Sequence, residues 1–268
     1  MDDFTIGDIT YTTQLLIISI IGNHLRVYTF LGEIVDKRIL VRLCVYPIAY
    51  LLWGGLMWYS QVVHPFDLTN FLFYIPLCNK GFYTTLQTLP YPVIEFFRII
   101  YLYGFSLIIV GGIGYYLFIK RDFLKSDMIL VDLALGWLFA GIIYTFVVVK
   151  SPFQVGVAKD LVDYHYFWIF TKPTYEIPSL HTAYSLLLAL HFKDEKPLNY
   201  VFFAMAVLIP IATLIMGMHW IVDVITGVIY GYLIYKFPKT LHKKISEALD
   251  FLAGHIKPCV FCGKCKEK

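Results

Sequence analysis

The sequence predicts an all-α integral membrane protein, with a six-transmembrane-helix core, an extra N-terminal helix and a cytoplasmic amphipathic tail helix. Three observations carry this expectation. Hydrophobic residues make up 59% of the 268 residues and charged residues 15%, and the mean hydropathy is +0.68. Such a composition excludes an ordinary soluble domain. The apolar residues gather into runs near the length of about 20 that a helix needs to cross a hydrocarbon core of roughly 30 Å. The basic residues between those runs are unequally shared, which orients them. The net charge of +3 is small, and nothing in the sequence points to nucleic acid.

Residues 1–38 form an N-terminal segment. Asp2, Asp3 and Asp8 give it an acidic start, unlike a basic-then-apolar cleavable leader. Within it, Thr12–Leu31 is apolar but holds Asn23, His24 and Arg26, and reads as an interfacial or partly buried extra helix. The core, residues 39–237, supplies the spans. Ile39–Tyr59 is the first, with Arg42 near its start. Ile99–Ile119 is the second and starts as early as Val93. Asp127–Val149 is the third and carries Asp132, expected to pair within the bundle. Ser179–Phe192 is the fourth, Leu198–Met218 the fifth with Pro210 as a kink, and His219–Phe237 the sixth, stopped by Pro238. Two long loops, Ser60–Tyr91 and Lys150–Ile177, are rich in aromatics; such lengths go with function or disorder.

Helix parity brings the start of the fourth span and the start of the sixth to one membrane side, together with the long loops. That side holds Lys80, Arg98, Lys150, Lys159 and Lys172. The other holds Lys37, Arg38, Arg42, Lys120, Arg121, Lys125, Lys193, Lys196 and every lysine from Lys236 onward. The positive-inside rule makes the richer side cytoplasmic, so the C-terminus is expected in the cytoplasm and the loop side outside it. The fourth span is short. Fourteen residues at roughly 1.5 Å each cover about two-thirds of a hydrocarbon core of roughly 30 Å, so Ser179 lies below the outer interface, within reach of a lipid.

Two segments on the outer side carry chemistry. In Pro178-Ser179-Leu180-His181, Pro178 fixes the entry and Ser179 is a good N-cap, so a helix begins there with its free N–H groups favouring an anion such as phosphate. His181 in the first turn is placed to give a proton to an oxygen of that anion. The same residues would also make a merely capped helix with an interfacial histidine. In His219-Trp220-Ile221-Val222-Asp223, His219 and Asp223 are four apart and share a helical face. A carboxylate on Nδ1–H fixes the tautomer and leaves Nε2 as a nucleophile or base; a buried pair that only satisfies itself is the alternative.

Together these segments resemble the type-2 phosphatidic acid phosphatase superfamily, whose second motif reads Pro-Ser-x-His and whose third reads Ser-Arg-x5-His-x3-Asp. The resemblance covers roughly Ile39–Phe237, with the specific motifs in the second half. It implies a six-helix membrane core and a metal-independent phosphohistidine mechanism. His219 would attack phosphorus, Asp223 would orient it, and His181 would protonate the leaving oxygen. Ser179 and the backbone near Leu180 would hold phosphate oxygens. No cofactor is implied for catalysis, and a lipid phosphate is the implied substrate. There are departures. Ala212-Thr213 stands where the third motif has Ser-Arg, and the first motif, Lys-x6-Arg-Pro, is absent in that form, with Lys150 its nearest counterpart. Leu180 and Thr213 look like the branch that includes inositol phosphorylceramide synthases, which transfer a phospho-headgroup to an alcohol acceptor. Lys150 or Lys172 would supply the missing cation, or be solvated loop residues, and Thr213 is a further candidate for a phosphate contact. The expectation is a membrane phosphatase or phosphotransferase acting on a lipid phosphate or diphosphate; the alternatives are a headgroup transferase and a non-catalytic lipid-phosphate carrier.

The tail, residues 238–268, has two parts. Leu241, Ile245, Leu249 and Leu252 share a helical face, which predicts an amphipathic helix on the cytoplasmic leaflet. After it, His255, Cys259, Cys262 and Cys265 have a spacing suited to zinc or an iron–sulfur cluster, with free or lipidated thiols as the alternative. Cys44 and Cys78 lie far from these, so no disulfide framework is expected.

Overall fold

The structure, a computed structural model, describes residues 36–60, 66–163 and 174–255. The extra helix expected over Thr12–Leu31, Lys172, and Cys259, Cys262 and Cys265 lie outside the described residues. The chain is mostly helical. In order it forms α1 (Lys37–Ser60), β1 (Phe66–Asp67), α2 (Thr69–Leu72), α3 (Lys80–Gln87), α4 (Tyr91–Lys120), α5 (Phe123–Phe146), β2 (Val147–Val148), α6 (Leu180–His191), α7 (Leu198–Ile215), α8 (Ile221–Tyr235) and α9 (Thr240–His255). The two short strands pair in parallel and tie the first long loop to the end of α5. Helix α4 is continuous but widens to π-helical turns over Ile100–Gly104 and Tyr115–Lys120.

A helix covers each of the six expected spans, yet only α4, α5 and α7 are both long and apolar enough to cross a membrane among the described residues. Helices α8 and α9, bent by 63° at their break, make a fourth if counted as one span. The shortfall has local causes. Helix α6 starts at its Ser179 cap and ends at the turn after Phe192, giving 12 residues, about 18 Å at roughly 1.5 Å each. Helix α8 stops at the Lys236–Pro238 turn after 15 residues.

The short helix α6 is the centre of the packing. It lies against α7 and α8 and also touches α4 and α5. Ala183, Leu187, Leu188 and Phe192 on α6 are fully buried among Ile108, Tyr116, Ile129, Phe202, Ile209 and Ile234. Helix association in lipid depends on close packing and small residues, and α8 supplies both. A Cβ at Gly227 would stand 2.6 Å from the Ser179 carbonyl oxygen, and one at Gly231 would stand 2.5 Å from that of Ala183. Without side chains there, the backbones of α6 and α8 touch.

At the far end of α6 the polar residues form a lock. Asp132 on α5 has His191 Nε2 at 2.8 Å and His242 Nε2 at 2.6 Å, joining α5, α6 and α9; this is the pairing expected for Asp132. Arg42 is wholly buried and donates from Nε and Nη2 to Asp127 at 2.9 and 2.5 Å. Tyr46 and Ser246 each donate to Asp127 at 2.6 Å. Arg38 reaches Asp250 at 2.6 Å. The α6–α7 turn is held there too, where the Lys125 ammonium beside Glu195, helped by Lys120, lowers its carboxyl to about 2.

The tail helix therefore differs from the expectation. Its buried face is His242, Ser246, Leu249 and Ala253, turned onto α1 and α5, whereas Leu252 is half exposed. Buried hydrogen bonds from His242 to Asp132 and from Ser246 to Asp127 outweigh the apolar stripe in deciding which face turns inward, because each completes the pairing of a buried carboxylate. Replacing Asp127 with Ala strands the buried Arg42 guanidinium. It should cost about 3–5 kcal/mol, read as a large fall in melting temperature in detergent, and Arg42→Met in the same chain should recover most of it. An unchanged melting temperature in Asp127→Ala would show that the lock carries no stability.

Candidate active site

The site is built where α6 and α8 begin. Ser179 caps α6: its hydroxyl accepts from the Thr182 N–H at 3.3 Å and lies 3.2 Å from the Thr182 hydroxyl. Its own N–H donates to the Asp223 carbonyl at 3.1 Å, so the start of α6 is tied to the first turn of α8. The contact at Gly227 makes this distance attainable. Leu180 turns its side chain toward Tyr144 and Trp137 in the interior and can offer a ligand only its backbone. The first N–H groups of a helix lack intrahelical partners and favour an anion.

His219 sits in the turn between α7 and α8 and is held through its backbone. Its carbonyl accepts from the Tyr83 hydroxyl at 2.8 Å. The Thr213 carbonyl accepts from Met218 N at 3.0 Å and His219 N at 3.4 Å, closing a turn in which Gly217 has φ +73°. A side chain there would meet Lys159 O at 2.9 Å, so glycine is required for both space and conformation. Next to it, Trp220 is fully buried and donates its indole N–H to the Lys150 carbonyl at 2.8 Å.

These supports bring the two motif histidines face to face. His181 Nδ1 lies 3.3 Å from His219 Nε2. His181 stacks on Tyr101 at 5.0 Å between ring centres and packs against Phe105 at 4.5 Å, both from α4. On the other edge of the His219 ring stand two carboxylates. Asp223 Oδ2 is 3.5 Å from Nδ1, and Glu176 Oε2 is 2.6 Å from it. The Glu176 contact is short, but its geometry is not that of an aligned hydrogen bond, and Nδ1 has no hydrogen-bond partner. Asp223 Oδ2 is meanwhile taken by the Trp220 N–H at 2.7 Å, the carboxylate half of a capping box at the start of α8. Glu176 and His219 are each 5% exposed, and Asp223 not at all. Burial lifts the Glu176 carboxyl above the usual carboxylate range, against the pull of His219, and the Asp223 carboxylate pushes in the same direction as burial.

The remaining candidates stand elsewhere or are otherwise engaged. Lys150 pairs with Asp67 at 3.4 Å and its ammonium is half exposed; what it gives the site is the carbonyl that holds Trp220. The Thr213 hydroxyl donates to the Pro210 carbonyl at 2.7 Å, so Thr213 acts through its backbone on His219. Glu176, Tyr101 and Phe105 were not singled out by the sequence. For Glu176 the available signal was an acid two residues before Pro178, at the edge of the second motif.

Among the described residues, Glu176, His219 and Asp223 offer donor atoms within 4.8 Å of one another. Two ligands on a tetrahedral zinc with bonds of roughly 2.0–2.1 Å stand roughly 3.3 Å apart. The Glu176–His219 contact of 2.6 Å is shorter, which describes an imidazole–carboxylate pair rather than an open cation cage. Of the tail ligands, His255 alone is described. It is exposed, with Nδ1 2.8 Å from the Phe251 carbonyl.

Residues 87–237 match the family model described as the PAP2 superfamily. The chain is also 82% identical over 233 residues to an uncharacterised protein of Methanocaldococcus jannaschii, covering 87% of this chain and 98% of that protein. No solved structure matches.

Two glycine substitutions of opposite sign test how the site is assembled. Gly227→Ala drives a methyl into the Ser179 carbonyl and should lower stability by about 1–3 kcal/mol. Gly111→Ala, on α4 with nothing within 4 Å of the new methyl, should be neutral or raise stability by about 0.5–1 kcal/mol. Thermal unfolding in detergent reads both, and equal shifts would show that the α6–α8 contact does not constrain the site.

Proposed function

The chain belongs to the PAP2 superfamily, and from that premise we propose that it is a membrane phosphatase or phosphotransferase acting on a lipid phosphate or diphosphate through a phosphohistidine on His219. Membership by itself carries the phosphatase or phosphotransferase class. The observation that supports the finer reading is the 3.3 Å approach of His181 Nδ1 to His219 Nε2, with buried carboxylates behind His219.

On this reading the phosphoryl group enters by parting the two rings. His219 Nε2 forms a bond to phosphorus as the bond to the leaving oxygen breaks, and His181 gives that oxygen a proton. Water, or an acceptor hydroxyl, then attacks phosphorus and breaks the P–N bond, while His181 takes the proton back. The N-terminus of α6 at Ser179 and Leu180 offers dipole and donors to the charge spread over the phosphoryl oxygens. No step is assigned to a metal.

An apolar cleft of about 650 Å³ between α1, α4 and α5 supports a lipid substrate. It is lined by residues including Leu43, Ile109, Leu130 and Tyr184 and ends at Phe105, the ring that packs on His181. The excess of basic residues on the opposite side supports a site on the extracytoplasmic face of the membrane and a cytoplasmic C-terminus. Leu180 and Thr213 support transfer to an alcohol, as in the inositol phosphorylceramide synthase-like branch, as the second reading.

The test is phosphate release from phosphatidate and from a polyprenyl diphosphate by detergent-purified protein in EDTA, beside His219→Ala. The expected result is EDTA-resistant release that falls about 10³-fold or more in the variant. Transfer is read in the same assay by adding inositol and following a phosphorylated product. Release that persists in His219→Ala would remove His219 as nucleophile.

A further inference from the structure

We propose that Glu176 is a positioning residue of His219: its carboxylate joins that of Asp223 at Nδ1, holds the ring in the Nδ1–H tautomer and so keeps Nε2 free to attack. This rests on the phosphohistidine reading and goes beyond it, since the motif resemblance gives that role to Asp223.

Distance is the first argument. Glu176 Oε2 is 2.6 Å from Nδ1, while Asp223 Oδ2 is 3.5 Å away. Engagement is the second. Asp223 Oδ2 accepts the Trp220 N–H at 2.7 Å and caps α8, and its Oδ1 is buried without a partner. Glu176 has no such helix to cap. Among the described residues its ion-pair partner is His219, and a carboxylate this deeply buried requires one.

The third argument is that the chain around Glu176 is pinned on both sides. Tyr175 bridges to Val149, and Val149 N donates to the Thr174 carbonyl at 3.3 Å. Tyr175 stacks on Tyr144 with 4.8 Å between ring centres, and the Tyr144 hydroxyl donates to the Pro178 carbonyl at 2.8 Å. A residue held this way loses little freedom on meeting His219, which is what orientation requires. The contact is off-line in the free protein; catalytic hydrogen bonds commonly align only once substrate is bound.

The chemistry balances. Neutral His219 carries its proton on Nδ1. As Nε2 bonds to phosphorus the ring becomes cationic, and the Glu176 carboxylate beside Nδ1 compensates that charge. When water or an acceptor takes the phosphoryl group, the ring returns to neutral with the same proton on Nδ1. Glu176 must be ionised for this, and the groups facing it are His219 and Asp223, with Tyr144 and Tyr83 nearby. Burial and Asp223 raise its carboxyl above the usual carboxylate range, so activity should be lost on the acid side as Glu176 takes up a proton.

The experiment compares full-length wild type, Glu176→Gln and Asp223→Asn in detergent. It measures kcat and KM from pH 5 to 9 (with about one-unit steps across the Glu176 range), and the phosphohistidine trapped by alkaline quench. For Glu176→Gln, kcat should fall by about 10²–10³-fold with KM little changed, the acid limb should vanish, and trapped phosphohistidine should form correspondingly slowly. Asp223→Asn should lower the melting temperature and keep an acid limb, moved to lower pH because the Asp223 charge that raises the Glu176 carboxyl is gone. A Glu176→Gln enzyme with wild-type kcat and pH profile overturns the assignment. Should that variant not fold, Glu176→Asp carries the same comparison: a lowered kcat with a displaced acid limb supports the proposal, and unchanged values overturn it. A wild type that turns over without trapped phosphohistidine overturns the phosphohistidine reading, and this assignment with it.

Discussion

The backbone contact between α6 and α8 is what the rest of the site depends on. Gly227 and Gly231 remove the side chains that would hold these helices apart. The Ser179 N–H can then reach the Asp223 carbonyl at 3.1 Å. That single bond joins the first turns of the two helices that carry the two motifs. The histidines meet at 3.3 Å because the helix starts are locked together, and no mobile loop has to bring them there. Small residues are a general means of bringing helices close where the solvent is as apolar as the side chains. Here the close approach also sets the distance across which the proposed phosphoryl transfer would run.

Helix α6 links two polar clusters of different kinds. At its start, His181 and His219 face each other with Glu176 and Asp223 behind, and Asp223 Oδ1 has no partner. At its end, His191 joins Asp132 and His242, while Arg42, Tyr46 and Ser246 saturate Asp127. The second cluster is dense with hydrogen bonds and ties α1, α5, α6 and α9 into one frame. The first is the less satisfied, with His219 Nδ1 and Asp223 Oδ1 unpartnered against His242 Nδ1 in the second. Buried polar groups without partners are costly, and they persist where surrounding structure over-determines them. The cluster at the end of α6 is well suited to anchor the helix whose other end carries that cost.

What was legible in the sequence follows from what is local. Ser179 as a cap depends on a spacing of three at a helix start, which can be read directly; His219 and Asp223 are brought near each other as expected, but His219 lies in the turn before α8 and does not share a helical face with Asp223. Helix positions were legible for the same reason, whereas the number of helices able to cross a membrane was not. The cap at Ser179 and the turn after Phe192 shorten α6 below the length its apolar run implies. Glu176 was not legible, because it reaches His219 only after Tyr175 bridges to Val149 and Tyr144 fixes Pro178. For Lys150, which the sequence left as a phosphate contact or a loop residue, a loop partner, Asp67, holds the half-exposed ammonium. In the tail, the apolar stripe was real, but Asp132 and Asp127 on a distant helix decided which face is buried.

One consequence concerns how a phosphate would enter. The two imidazoles are in contact, so a phosphoryl group on the line between them must displace one. His219 is fixed through Tyr83, Thr213 and its carboxylates, with Trp220 anchored beside it. His181 is instead held by rings from α4, Tyr101 and Phe105. These rings sit at the π-helical stretch Ile100–Gly104, where α4 departs from regular geometry. Such bulges are frequent at functional sites because they re-aim side chains at a modest cost in helix stability. On the proposed reading His181 is therefore the ring that yields, and the apolar cleft that Phe105 lines lies on the side toward which it is held. On the proposed reading, a lipid phosphate would act on His181 through its chain as well as its headgroup, with His219 as the fixed wall.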